Sequence, residues 1–201
     1  MIHEKFVVLE GIDGSGTSTQ LDKLSNYCKK HEIKSHFTYE PTNSPIGAII
    51  RSYLKGEKII TKSTLPHLLL ADRNEHLQNE QGILYHLNQN SYVFCDRYIF
   101  STLAYQSLDF SIKSLYEQNK QFLLPHKVIF IDTPVSIADA RIESRNKDRE
   151  IYEEVKLQQL IRENYLKAFD FFKDEIELLT INGEKSIQAI FDEIINFLEF
   201  K

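Results

Sequence analysis

The sequence predicts a three-layer α/β domain, a five-stranded parallel sheet flanked by helices. Three observations point to it. Five short apolar runs recur: Phe6-Val7-Val8-Leu9, Phe37-Thr38-Tyr39, Tyr92-Val93-Phe94-Cys95, Val128-Ile129-Phe130-Ile131 and Leu178-Leu179-Thr180-Ile181. None alternates strictly between polar and apolar, so both faces of each strand are covered, as in a parallel sheet. Longer amphipathic segments separate the runs and give the order β-α-β-α-α-β-α-β-α-β-α.

Each element has its own signal. The first run leads into a glycine-rich turn and a helix. Ser63 and Thr64 before Pro66 read as a helix start, because proline is tolerated in the first turn. Leu65, Leu68, Leu69 and Leu77 on that helix read as core or as a dimer interface. The segment 152–172 carries an apolar stripe of Leu157, Leu160, Ile161, Tyr165, Ala168, Phe169 and Phe172, and the last helix carries Ile187, Ile190, Phe191, Ile194, Ile195 and Leu198. Between the fourth run and the 152–172 helix, residues 141–150 are nearly all polar and read as a mobile flap. Ligands of such sheets bind at the carboxyl ends of the strands, so functional residues are expected just after the runs.

The chain of 201 residues is read as one domain, 1–201, without repeat or linker. With 42% apolar and 26% charged residues it matches folded proteins, which excludes intrinsic disorder. Its net charge of −5 argues against a general nucleic-acid binder or a polybasic membrane binder. The two cysteines, Cys28 and Cys95, lie far apart and form no Cys-x-x-Cys pattern, which excludes a disulfide scaffold. Reduced thiols and a cytoplasmic location are expected. No apolar stretch is long enough for a membrane span, and the first run is too short for a signal peptide. The seven histidines show no zinc-ligand spacing and are expected at the surface or partly in the core.

The chemistry concentrates after the first and third runs. Gly11-Ile12-Asp13-Gly14-Ser15-Gly16-Thr17-Ser18 has the Gly-x4-Gly-x-Ser spacing of a phosphate-binding loop, with Thr17 where that motif has Lys. Its glycines allow a tight turn that aims backbone N–H groups at phosphate oxygens, and the following helix adds its positive end. The Ser18 hydroxyl suits Mg²⁺. The spacing alone also fits a strand-to-helix turn with no ligand. The third run ends in Asp96-Arg97-Tyr98, where a carboxylate suits a water-mediated Mg²⁺ ligand, or equally a salt-bridged Asp–Arg pair opening a helix.

Taken together the motifs are more specific. Glu10-Gly11-Ile12-Asp13-Gly14-Ser15-Gly16, Ser18-Thr19-Gln20, Glu40-Pro41, Pro45-Ile46-Gly47, Ala71-Asp72-Arg73, Asp96-Arg97-Tyr98 and Ala104-Tyr105-Gln106 follow one another in this order. From residue 4 to about residue 170 the chain resembles bacterial thymidylate kinases. The resemblance implies a P-loop NTPase fold with a lid near 141–151, transfer of the ATP γ-phosphoryl group to dTMP with Mg²⁺ in dTTP synthesis, and a homodimer. ATP would lie against Gly11, Ile12, Asp13, Gly14, Ser15, Gly16, Thr17, Ser18, Thr19 and Arg141. By the same resemblance dTMP would meet Asp13, Arg51, Leu69, Arg73, Arg97, Tyr105 and Gln106, with Asp13 holding the deoxyribose and Arg97 near the phosphate. Ser18 and Asp96 would organise Mg²⁺. Asp13, Arg97 and the lid arginines Arg145 and Arg149 would serve catalysis. On local sequence alone, the lid arginines fit a solvated face paired with Glu143, Asp148 and Glu150.

Three positions depart from the family pattern: Thr17 for Lys, Leu69 where a Phe usually stacks on thymine, and Tyr39 with Thr42-Asn43 around Glu40-Pro41. They leave open two other readings, a nucleotide kinase with altered acceptor choice and a non-catalytic nucleotide-binding homologue.

Overall fold

A computed structural model describes residues 2–145 and 148–200. Its five parallel strands are β1 (Ile2–Glu10), β2 (Ser35–Tyr39), β3 (Tyr92–Asp96), β4 (Leu124–Asp132) and β5 (Glu177–Asn182). They are ordered β2-β3-β1-β4-β5 across the sheet. All five apolar runs lie in strands, and β1 and β4 extend upstream of theirs. The register aligns Leu9 with Asp96 and with Ile129, so the ends of the three central strands open at one edge.

Both faces of the three central strands are covered over their apolar runs, as expected. The edge strands β2 and β5 depart from the expectation: Tyr39 and Leu178 stay exposed, because an edge strand is packed by fewer neighbours. Phe6, Val8, Val93, Cys95, Val128 and Phe130 point into one core, while Val7, Leu9, Tyr92, Phe94, Ile129 and Ile131 point into the other. Helices α1 (Thr17–Lys30) and α9 (Ile187–Leu198) close the second core through Leu24, Cys28, Ile190, Phe191 and Ile194. Helices α5 (Ile99–Gln106) and α8 (Val155–Asp170) close the first, with the Phe100 ring 5.3 Å from Phe169 and 5.2 Å from Phe172. Ile187 stands apart from its stripe and is exposed, at the open first turn of α9.

The crossovers contain more helices than the periodicity suggests. Between β2 and β3 run α2 (Pro45–Leu54), α3 (Thr64–Gln78) and α4 (Ile83–Asn88); α6 (Ile112–Asn119) follows α5, and α7 (Val135–Glu143) precedes α8. Helices of six to nine residues complete too few turns to show a clear stripe. Helix α3 begins where Ser63-Thr64 marked it, although Ser63 makes no capping bond. Ser44 and Ser186 do cap α2 and α9, accepting from the N–H groups of Gly47 and Ala189. The segment read as a lid starts inside α7, which runs to Glu143. Of that segment, Asn146 and Lys147 lie outside the described residues. Among the described residues, no helix is long and apolar enough to cross a membrane.

Candidate active site

The loop from Gly11 to Gly16 joins β1 to α1 and needs glycine at two positions. Gly14 and Gly16 have φ of +80° and +101°, and a Cβ on Gly14 would lie 2.4 Å from the Ala138 carbonyl oxygen of α7. The loop is pinned from outside. Arg141 donates to the carbonyls of Ser15 (3.1 Å), Gly14 (3.3 Å) and Gly183 (3.0 Å). Its neighbours therefore fix Arg141 as a brace beneath the loop.

Two adjoining cavities lie over this edge of the sheet. The smaller, about 230 Å³, is lined by Ile12, Asp13, Gly14, Gly16, Thr17, Ser18, Thr19 and Arg145 among others. The larger, about 500 Å³, takes in Arg51, Leu69, Arg73, Asp96, Tyr105 and Gln106, with Ile50, Leu54 and Leu65 making one wall apolar. Asp13, Ser18, Arg97 and Glu150 line both and mark where the cavities meet. Gly11, Ser15, Arg141 and Arg149 line neither. Arg149 instead pairs with Asp139 (2.7 Å) and Glu143 (3.2 Å) on α7 and donates to the Glu153 carbonyl. Arg145, half exposed, faces the small cavity with Glu153 3.7 Å away.

At the boundary, the Ser18 hydroxyl donates to Asp96 Oδ2 at 2.6 Å. Asp96 Oδ1 is buried without a hydrogen-bond partner among the described residues. A hydroxyl and a carboxylate with an unused oxygen are the hard donors Mg²⁺ takes, and that ion characteristically uses one or two protein ligands together with substrate phosphates. The donor set fits Mg²⁺.

Arg97 has φ of +68°, which turns its side chain back across the strand ends. Its Nη2 meets Asp13 Oδ1 at 2.7 Å, so the ion pair forms with Asp13 and not with the adjacent Asp96. Its Nη1 donates to the Gly11 carbonyl (2.9 Å), the Tyr165 hydroxyl (3.2 Å) and the Ser101 hydroxyl (3.4 Å), and the guanidinium lies over the Tyr105 ring at 5.1 Å. Gln158 of α8 grips Asp13 twice, accepting from its N–H and donating to Oδ2.

Arg73 is held as firmly. It is buried, with Nε and Nη2 on Glu40 Oε2 (3.0 and 2.7 Å), Nη2 also on Thr102, and Nη1 on Asn119. Glu40 Oε1 faces His76, which reaches Thr38 on its other side. Arg51 donates to the Pro41 and Thr42 carbonyls. Asp72 accepts from Thr42 N–H, Thr42 Oγ1 and Ser44 Oγ, and so shapes the loop between β2 and α2.

Sequence reasoning missed several members of the site. Glu10, fully buried beneath Arg97, accepts from Tyr98 N–H (2.8 Å), Ser101 N–H (3.3 Å), Ser101 Oγ (2.6 Å) and Tyr165 OH (3.0 Å). Burial pushes its carboxyl up to about 7, against the opposing pull of Ser101 and Arg97. A carboxylate closing a wholly apolar run was a readable sign. Gln158 lies three residues before Ile161 on the apolar stripe of α8, where a polar residue needs a partner. Glu150 closes the polar segment, and Tyr152 and Glu153 lie between it and the start of α8, where no periodicity places them. Burial and the nearby Asp13 and Glu153 raise the Glu150 carboxyl.

The thymidylate kinase family model matches residues 9–194. Relatives that carry the thymidylate kinase name include one from Treponema pallidum, 36% identical over 200 residues and covering 98% of this chain and 96% of the relative. Another, from Pyrococcus horikoshii, is 35% identical over 196 residues, covering 94% and 93%. A third, from Methanococcus maripaludis, is 34% identical over 198 residues, covering 96% and 94%.

Proposed function

Because the chain belongs to the thymidylate kinase family, we propose that its two cavities hold ATP and dTMP and that it transfers the γ-phosphoryl group between them. The observation that carries this reading is the meeting of the two cavities, about 230 and 500 Å³, at Asp13, Ser18, Arg97 and Glu150, so that one set of side chains faces both spaces.

A phosphate monoester is largely ionised near neutral pH and needs no general base. What the protein must supply is in-line alignment of two repelling anions and positive charge around the transferred group. The loop N–H groups and the α1 N-terminus receive the ATP phosphates. Arg97, anchored by Asp13 and Gly11, directs a guanidinium to the boundary and receives the acceptor phosphate. Asp13, held by Gln158, faces the acceptor deoxyribose. Arg73, Tyr105 and Gln106 line the acceptor side, and Leu69 contributes to the apolar wall that covers the base. Ser18 and Asp96 would hold Mg²⁺, which when bound neutralises charge on the ATP phosphates.

Thr17 leaves the loop without its usual cation. Arg145 is the lid arginine that faces the loop cavity, so it takes that role in our reading, while Arg149 fastens the lid segment to α7. The homodimer and the cytoplasmic location belong to the same proposal; the two buried free thiols suit a reducing compartment.

A coupled assay with ATP, Mg²⁺ and a panel of monophosphates tests the acceptor. We expect dTMP to be preferred over dUMP by about 10- to 200-fold, the range one buried methyl supports. Equal or better turnover of CMP, AMP or GMP would overturn the assignment.

A further inference from the structure

We propose that Glu10, though it touches neither cavity, is a positioning residue that fixes two hydroxyls so that their lone pairs hold Arg97. The inference rests on the reading of Arg97 as the acceptor-phosphate ligand.

The geometry is a two-step relay. Oε1 of Glu10 accepts two backbone N–H groups, from Tyr98 and Ser101, which locks the carboxylate to the turn after β3. Oε2 accepts from the Ser101 hydroxyl at 2.6 Å and the Tyr165 hydroxyl at 3.0 Å. Those same hydroxyls, hydrogen-bonded to each other at 2.7 Å, are the side-chain acceptors of Arg97 Nη1, and the Tyr165 hydroxyl also reaches the Gly11 carbonyl at 3.1 Å. Burial holds the Tyr165 phenol well above its usual pKa, so it stays a hydroxyl.

Counting hydrogens and lone pairs gives the polarity of the relay. Two hydroxyls carry two hydrogens and four lone pairs. An ionised carboxylate only accepts, so it takes up a hydroxyl hydrogen while the other links the two hydroxyls or goes to the Gly11 carbonyl, and both oxygens keep lone pairs for Arg97. A carboxamide at the same place, with its oxygen kept on the two backbone N–H groups, turns an NH₂ toward the hydroxyls. It consumes two lone pairs and withdraws the charged acceptor of the hydroxyl hydrogens, which leaves them each other and the Gly11 carbonyl that Arg97 also uses. It also removes the negative charge beneath the guanidinium. Arg97 keeps Asp13 and the Gly11 carbonyl but loses its underside support.

The test is Glu10→Gln at pH 8, above the Glu10 value. We expect the KM for dTMP to rise about tenfold, the size of one lost charge-linked hydrogen bond, with the KM for ATP nearly unchanged. In an Arg97→Ala background, the same substitution should change the dTMP KM by less than about twofold, since a residue that acts through Arg97 has nothing left to act on. Equal factors in both backgrounds, or an ATP KM that moves in step, would make Glu10 a general support of the phosphate loop and overturn the proposal. Nitrogen NMR of the Arg97 guanidinium in the free protein gives a readout independent of turnover. Rotation of its Nη groups should be slow in the parent chain and faster in Glu10→Gln; unchanged rotation refutes the relay. If Glu10→Gln does not fold, Ser101→Ala removes one relay hydroxyl and is carried through the same measurements with the same outcomes. Turnover of dTMP by the parent chain decides the kinase reading, and the Arg97 signals decide the relay.

Discussion

The arginines on the two sides of the boundary between the cavities, the acceptor and donor sides of our proposal, are held differently. On the acceptor side, Arg73 is 1% exposed and Arg97 21%, and each rests on carboxylates, hydroxyls and an aromatic face supplied by the strand ends, α5 and α8. On the donor side, Arg145 and Arg149 are 49% and 39% exposed and rest on acidic groups of the lid segment and α7. The acceptor charges are therefore fixed before any ligand arrives. The donor charges are held by pairs whose arginine ends are exposed, which are worth less than fully buried ones and are more readily exchanged for a phosphate. Thr17 widens the contrast, because the one cation normally built into the loop is absent.

The largest expected effects lie on the fixed side. Arg97→Ala should lower kcat/KM for dTMP by about 10³-fold, as loss of a preorganised charge does. Arg73→Ala should in addition destabilise the fold by about 3–5 kcal/mol, because it strands the buried Glu40 carboxylate. Denaturant titration beside kinetics separates the two, and an Arg73→Ala protein of undiminished stability would erase the distinction.

The donor side predicts an asymmetry. Arg145→Ala should cost about 10²-fold in kcat, while Arg149→Ala, which breaks partly exposed contacts to α7 and the Glu153 carbonyl away from both cavities, should cost less than about fivefold. Kinetics at saturating ATP and dTMP decide it; equal losses would mean that the lid closes with Arg149 turned inward. Thr17→Lys should raise kcat by about tenfold and recover part of the Arg145→Ala loss, since both place one positive charge at the same phosphates. Additive effects in that cycle would show that Arg145 does not stand in for the lysine.

Smaller still is the base contact. Leu69→Phe adds an aromatic face at the apolar wall and should lower the dTMP KM several-fold, by about 0.5–1.5 kcal/mol, without moving the ATP KM. The reverse pattern would place Leu69 away from the base.

Stability against pH sets Glu10, which supports Arg97 on the fixed side, against His36, a half-buried residue of β2 that lines neither cavity. Burial, with His86 and His76 nearby, lowers the His36 pKa to about 4. Unfolded His36 takes up a proton near 6.5, so its contribution is present above that pH and lost as pH falls toward about 4. Glu10 runs the other way: its raised value makes its contribution largest below 4.5, and it is lost as pH rises through about 7. Urea midpoints from pH 7.5 to 5 should therefore show His36→Phe flattening the acid loss and Glu10→Gln steepening it. Parallel curves for the two variants would contradict one of these assignments.

The strands, the phosphate loop, and α3, α8 and α9 were legible because each is written locally. An apolar run covered on both faces, a fixed glycine spacing and a stripe of period 3.6 need no knowledge of what lies opposite. The site residues at strand ends followed from the same logic: Asp13, Ser18, Asp96 and Arg97 do converge at one edge. Short helices such as α4 and α6 were not legible, being too brief to show a period.

By itself the sequence determined which residue types stand at the sheet edge and in what order: the glycine turn, Ser18, the Asp96-Arg97 pair and the arginine-rich segment. Only the tertiary structure decided which partners they take. Arg97 bonds Asp13, 84 residues away, and not its neighbour Asp96, because a positive φ swings it over the loop. Asp13 is held by Gln158 from a helix 145 residues on, and of two arginines four residues apart Arg141 bonds the loop carbonyls outside both cavities while Arg145 lines the small one. A side chain's identity fixes what it is able to bond. The backbone's path through the folded molecule fixes what stands within three ångströms of it, and hydrogen bonds act only at that range.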